Sequence, residues 1–159
     1  MSKVSGVPEG HMAIVPSVIV DGGAEAIAFY ERAFGARCSN RFDGPEGKVM
    51  HAELAIGGGV VFMADEFPQM GLRSPKSLGG NTGSYTVYVD DPDAAHARAV
   101  AAGARAVEPV TDGFHGVRGG AVVCPFGHRW ILTRQVEVVS HDEMLRRMNA
   151  WLASSAAAT

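Results

Sequence analysis

The stretch Ser84-Tyr85-Thr86-Val87-Tyr88-Val89-Asp90, with the Asp91-Pro92 step and Ala-rich run behind it, decides the fold, because the chain spells the same pattern twice. Its β-branched and aromatic residues, ended by acidic turn residues, read as a strand. Asp91 stands where a helix N-cap belongs, Pro92 suits the first helical position, and Gly103 stops a helix expected over 92–102. Upstream, Val15-Pro16-Ser17-Val18-Ile19-Val20-Asp21 is the matching strand, ended by Gly22-Gly23. Residues 24–34 then place Ile27, Tyr30 and Phe34 on one helical side, with Gly35 at the C-cap.

Three strands are expected after each helix, at 37–42, 48–56 and 60–64 and again at 104–107, 120–124 and 129–134. Val15 and Ser84 stand 69 positions apart, and so do Phe62 and Ile131. One offset therefore aligns the first and last strands of both halves. The chain reads as an α+β protein of two tandem βαβββ modules, 13–66 and 84–136, forming one domain. A tail (1–12) precedes them, and a Pro-, Gly- and Ser-rich connector (67–83) joins them with enough length for modules to move or to exchange between subunits. Beyond 137, Ser140 and Glu143 suggest a capping box, and Met144, Leu145, Met148, Trp151 and Leu152 make one helical stripe that should dock on its own sheet or on a partner.

With 159 residues, 47% of them hydrophobic, the chain can bury a real core. A net charge of -3 and 14 scattered Lys and Arg residues disfavour nucleic acid and anionic membrane as partners. No run approaches the roughly 20 apolar residues of a membrane span, and Met1 to Gly10 lacks the blocks of a signal peptide. The two cysteines, Cys38 and Cys124, lack metal or redox spacing and read as free thiols. A cytoplasmic protein is expected.

Phe29-Tyr30-Glu31-Arg32-Ala33-Phe34-Gly35 at the end of the first helix and Pro125-Phe126-Gly127-His128 before the last strand give the paired modules a family look. Over about 13–136 they resemble the vicinal oxygen chelate superfamily of glyoxalases, bleomycin resistance proteins and extradiol dioxygenases. His51-Ala52-Glu53-Leu54, Ala64-Asp65-Glu66-Phe67-Pro68 and Pro125-Phe126-Gly127-His128-Arg129-Trp130 are similar to its PhnB-like, or demethylubiquinone methyltransferase-like, branch. The resemblance implies a cupped mixed sheet with helices outside, a ligand cleft inside, and common dimerisation. In metal-dependent members a divalent ion is held by His and Glu from the first and last strand of each module. The matching positions here are Val15, Phe62, Ser84 and Ile131, which offer one hydroxyl, so no metal cofactor is expected.

Strand alternation puts Ser17 and, in the second module, Ser84, Thr86 and Tyr88 on the cleft face, with Val18, Val20, Val87 and Val89 toward the helices. His51 and Glu53 should point together into the cup, as an acid/base pair or as a hydrogen-bonded sheet rim. The same offset takes His51 to Gly120 and Glu53 to Val122, and alternation puts Arg118 with these partners, a cation across from the pair, to bind a carboxylate or phosphate or to satisfy Glu53. Phe114 and His115 sit with Arg118 in a Gly-rich segment that resembles the family's loop at the cleft mouth, which implies a gate there; the other reading is a surface hairpin that needs glycine for its turns. Phe62, Tyr88, Phe114 and Trp130 supply apolar walls. The resemblance implies that His128 locks its turn, and His11, His96 and His141 read as exposed; a metal held by His51, Glu53 and His115 is not demanded by their spacing. Three functions remain open: a metal-free binder of a small organic molecule, a lyase, isomerase or dioxygenase using a relocated metal or His51 and Glu53, and a homodimeric scaffold.

Overall fold

The computed structural model describes residues 6–156, so parts of the two expected tails, 1–5 and 157–159, lie outside the described residues. The first module runs β1 (Ser17–Val20), α1 (Gly23–Phe34), β2 (Arg37–Asp43), β3 (Val49–Ile56) and β4 (Gly59–Asp65). After a short helix α2 (Pro75–Leu78), the second runs β5 (Ser84–Tyr88), α3 (Pro92–Ala101), β6 (Arg105–Asp112), β7 (Val117–Val123) and β8 (Arg129–Gln135), and α4 (His141–Ala156) closes the chain. The sheets have the orders β1-β4-β3-β2 and β5-β8-β7-β6, each with one parallel and two antiparallel pairings.

The repeat is visible in the register. Ser17 pairs with Phe62 and Thr86 with Ile131, so the offset of 69 holds on both strands of the parallel pair. It fails by one residue on the neighbouring strand: Ala52 faces Met63, but Gly120 faces Leu132. The cause is turn length. Gly57 and Gly58 alone join β3 to β4, whereas Pro125, Phe126 and Gly127 intervene where the Cys124 N–H donates to the His128 carbonyl at 2.9 Å. A one-residue slip reverses the faces of a strand. Arg118, Gly120 and Val122 therefore lie on the helix-covered face, and the expectation that Arg118 faces His51 and Glu53 is corrected.

Alternation is otherwise as expected: Val18 and Val20 are fully buried beneath α1. The helix starts at Gly22, whose φ of 99° is a left-handed conformation, and a Cβ on Gly23 would lie 2.6 Å from an Asp65 oxygen. It ends at Gly35, also left-handed at φ 65°. α1 and α3 cover their own sheets and also pack on each other, with the Arg98 Nε donating to the Ala33 carbonyl at 3.0 Å. Tyr30 and Phe34 meet Trp130 with ring centroids 5.4 and 4.9 Å apart, and one core runs through both modules on this side. Losing Trp130 there would cost about 3–5 kcal/mol. β6 is longer than expected and is bulged around Glu108, where Pro109 donates no ladder hydrogen bond.

The connector is pinned, contrary to its expected pliability. The Glu66 carboxylate accepts the Ser74 N–H at 3.0 Å, the Ser74 hydroxyl at 2.8 Å and the Ser77 hydroxyl at 2.7 Å, and Lys76 reaches Asp21 at 2.6 Å. α4 keeps half of its capping box: Ser140 Oγ accepts the Glu143 N–H, while the Glu143 side chain turns to Arg146 and Arg147.

A candidate ligand cleft between the modules

The expected site residues are spread over several places rather than gathered in one. Ser84, Thr86 and Tyr88 line a cleft of about 370 Å³ between the modules. Its other walls are Met12, Ile14, Val15 and Pro16 from the N-terminal segment, the β3–β4 turn, and Trp130. Gly57 permits the close approach of that turn, since a Cβ there would lie 2.8 Å from Val87. Tyr85 closes one end and its hydroxyl donates to the Ser17 carbonyl at 3.4 Å. Among the described residues the walls are aliphatic and aromatic with a few hydroxyls and no charged side chain, the lining expected for an organic ligand. Thr86 and Tyr88 continue into an adjoining hollow of about 430 Å³ on the open face of the second sheet, where His115 lies with Glu108, Ile131 and Thr133.

His51 and Glu53 share a face, as alternation requires, but on the first sheet and away from that cleft's walls. His51 Nε2 lies 3.4 Å from Glu53 Oε1, and its ring packs edge-on to Phe62 at 4.9 Å. His11 joins them unexpectedly: its Nε2 is 3.4 Å from Glu53 Oε2 and its ring 5.7 Å from Phe62. Asn40 donates to the same carboxylate at 3.4 Å. Burial pushes the Glu53 carboxyl up, but hydrogen bonds from His51 and Asn40 and the nearby imidazoles outweigh it, and its pKa ends below the ordinary range. His11 is corrected from a surface residue to a member of this cluster.

The remaining expectations fall elsewhere. Ser17 borders a small hollow with Arg73, Tyr85 and His128. Phe114 packs under α4, its ring 5.8 Å from Trp151. Arg118 pairs with Asp93 at 2.7 Å and Asp112 at 3.0 Å, so it braces α3 against the β6–β7 hairpin. His96 is not simply exposed, because its Nε2 is buried without a hydrogen-bond partner among the described residues. His128 is buried in its turn, and burial lowers its pKa to about 4. Cys124 is buried with the Tyr30 hydroxyl 3.6 Å from its sulfur, whereas Cys38 is half-buried at a sheet edge.

The four positions matching the superfamily's metal ligands do not suit an ion. Val15 and Ser84 are cleft walls, Phe62 presents a ring to two imidazoles, and Ile131 lies in the adjoining hollow. Among the described residues no group of three or more His, Cys, Asp or Glu side chains is placed to hold a metal. Also among them, no helix is long and apolar enough to cross a membrane.

The paired-module fold agrees with the comparisons. The model of the Glyoxalase/Bleomycin resistance protein/Dioxygenase superfamily matches residues 10–132, and the chain belongs to that superfamily. The uncharacterized protein Rv0887c of Mycobacterium tuberculosis is 43% identical over 141 residues, covering 87% of this chain and 83% of its own. The crystal structure of TioX from Micromonospora sp. ML1 is similar with a TM-score of 0.61 and 32% identity, covering 79% of this chain and 98% of TioX. A PhnB protein from Bacillus cereus, described as a putative 3-demethylubiquinone-9 3-methyltransferase, shares the fold with a TM-score of 0.58 at 19% identity, covering 77% and 99% of the two chains.

Proposed function

We propose that this chain is a binding member of the superfamily that encloses a small organic molecule in the inter-module cleft without a metal. The observation that carries the reading is the composition of that cleft: two of the four superfamily ligand positions, Val15 and Ser84, are among its walls, and apolar and aromatic side chains supply most of the rest. A cavity of about 370 Å³ suits a compact aromatic compound, with Ser84, Thr86 and Tyr88 supplying hydrogen bonds that orient it. The scarcity of cysteine supports a cytoplasmic location, and the exposed apolar stripe of α4 supports a homodimer.

Thermal-shift screening of untagged protein against aromatic natural products, small oxoacids and divalent transition metals tests this. A concentration-dependent rise with an aromatic compound, lost when Ser84 or Thr86 is replaced by Trp, is the expected result. A stoichiometric transition metal retained through purification, or a response confined to oxoacids with metal, would replace the reading with a metalloenzyme.

A further inference from the structure

The N-terminal segment crosses from the first module's open face to the cleft, and its residues behave differently on the way. His11 is anchored by Glu53 and Phe62, with its side chain 15% exposed. Met12 and Ile14 line the cleft yet remain 73% and 85% exposed. Two large apolar side chains are thus held at the cleft rim with almost nothing against them, a position in which an occupant would bury them. The anchor is specific. Glu53 is held between His11 and His51, one imidazole on each oxygen, and Asn40 donates to the oxygen that His51 holds.

We propose that residues 10–16 form a ligand strap, with His11 as its positioning residue and Met12 and Ile14 as binding residues that complete their burial on a neutral aromatic ligand. This rests on the cleft reading and adds a ligand class to it. Neutrality follows from the walls, because an ion placed against described residues that include no charged side chain would lose its hydration uncompensated. An aromatic body follows from Tyr85 and Tyr88. The strap also gives the His11, His51 and Glu53 cluster, which lies off the cleft walls, a part in binding: the cluster holds the segment whose next residues close over the ligand.

The probe is N-phenyl-1-naphthylamine, a neutral aromatic fluorophore that brightens in apolar surroundings. Wild-type protein should bind it saturably, and the cleft-filling variants Val60→Trp and Ser84→Trp should abolish binding. His11→Ala and the double variant Met12→Ser/Ile14→Ser should each raise Kd about tenfold, equal to about 1.4 kcal/mol, with most of the change in the dissociation rate. Thermal stability should be unchanged in both, and His11→Gln, which can still donate to Glu53, should restore most of the affinity. If wild type does not bind the probe, or both cleft-filling variants bind it as wild type does, the cleft reading for neutral aromatics fails and the strap with it. If binding is abolished by cleft filling but unaffected by the strap variants, the cleft stands and the strap is overturned. A loss in His11→Ala that tracks a fall in stability and is not rescued by Gln would make His11 a structural residue, which also overturns its positioning role.

Discussion

The carboxylate of Asp65, the last residue of β4, accepts the backbone N–H of Gly23 at 2.8 Å across 42 positions of sequence. The same oxygen takes the Gly22 N–H at 3.0 Å, and the other oxygen takes the Val49 N–H at 2.7 Å. One buried group therefore caps α1 and ties the start of β3 to the end of β4. The second module solves the same problem locally, Asp91 accepting the Ala94 N–H at 3.0 Å, and its counterpart to Asp65 is Arg134, which reaches the Asp90 carbonyl. Asp65→Ala strands three backbone donors, whereas Asp91→Ala strands one exposed donor. Losses of about 3 kcal/mol and about 1 kcal/mol are expected, which in a chain of this size are falls of roughly 6–12 °C and 2–4 °C in Tm. Equal losses in thermal unfolding would refute the difference between the caps.

His128 makes stability pH-dependent. Its side chain is almost fully buried, Nδ1 has no hydrogen-bond partner among the described residues, and burial lowers its pKa from 6.5 to about 4. The unfolded chain takes up a proton below about 6.5 while the folded chain resists it until about 4. The stabilising contribution of the neutral imidazole is therefore full above the unfolded value and is lost as pH falls through that window. Unfolding free energies measured from pH 7.5 to 4 should fall more steeply for wild type than for His128→Gln. Parallel curves would assign the acid sensitivity to other groups.

What could be read from sequence was whatever repeats or obeys a local rule. The module order, the caps at Gly35 and Asp91, the burial of Val18 and Val20, and the sharing of one face by His51 and Glu53 all follow from periodicity and short-range chemistry. Arg118 was misplaced because an offset taken from β1 and β4 was carried onto a strand reached through a turn one residue longer. His11 gave no signal, since an irregular segment has no period to show where it returns. Asp65 carries no local sign of its capping role, and only the fold brings it to a helix 42 positions upstream. Gathering hydroxyls into the cleft was foreseeable; its separation from His51 and Glu53 depended on how the sheets are set against each other.

Arg118 now carries a prediction of its own. With its guanidinium on Asp93 and Asp112, its pKa stays above the usual arginine value, first through the Asp93 hydrogen bonds and then through Asp112. Arg118→Ala should loosen the β6–β7 hairpin against α3 and lower Tm slightly, since the pairs are exposed. It should leave affinity for any cleft ligand unchanged. A large loss of affinity in this variant, measured by titration, would return Arg118 to the binding site.

The connector should respond to Glu66 alone. Hydrogen bonds from the Ser77 hydroxyl and from the Ser74 N–H and hydroxyl lower its pKa to about 2. The order it imposes on 67–78 is thus full above the ordinary carboxylate value and is lost as pH falls through about 2. At neutral pH Glu66→Gln removes the charge and weakens all three bonds. Trypsin should then cut faster after Arg73 and Lys76, with cuts elsewhere unaffected. Uniformly faster cleavage would indicate global destabilisation instead.

α4 yields the prediction about assembly. Leu145, Trp151 and Leu152 stay exposed along one side, while Phe114, Met144, Leu145 and Met148 border a hollow of about 470 Å³ between α4 and the β6–β7 hairpin. Arg147 ties the helix to the segment before it through Glu137 at 2.7 Å, and also bonds Glu143 one turn back in the helix at 2.6 Å. Ion pairs that fix a helix while its apolar stripe faces outward fit a surface awaiting a second copy. Sedimentation equilibrium should report a dimer for wild type and a monomer for Trp151→Ser/Leu152→Ser, with the unfolding midpoint concentration-dependent in the first case and not in the second. Wild-type monomer at tens of micromolar, or a dimer unchanged by the double substitution, would move the interface off α4.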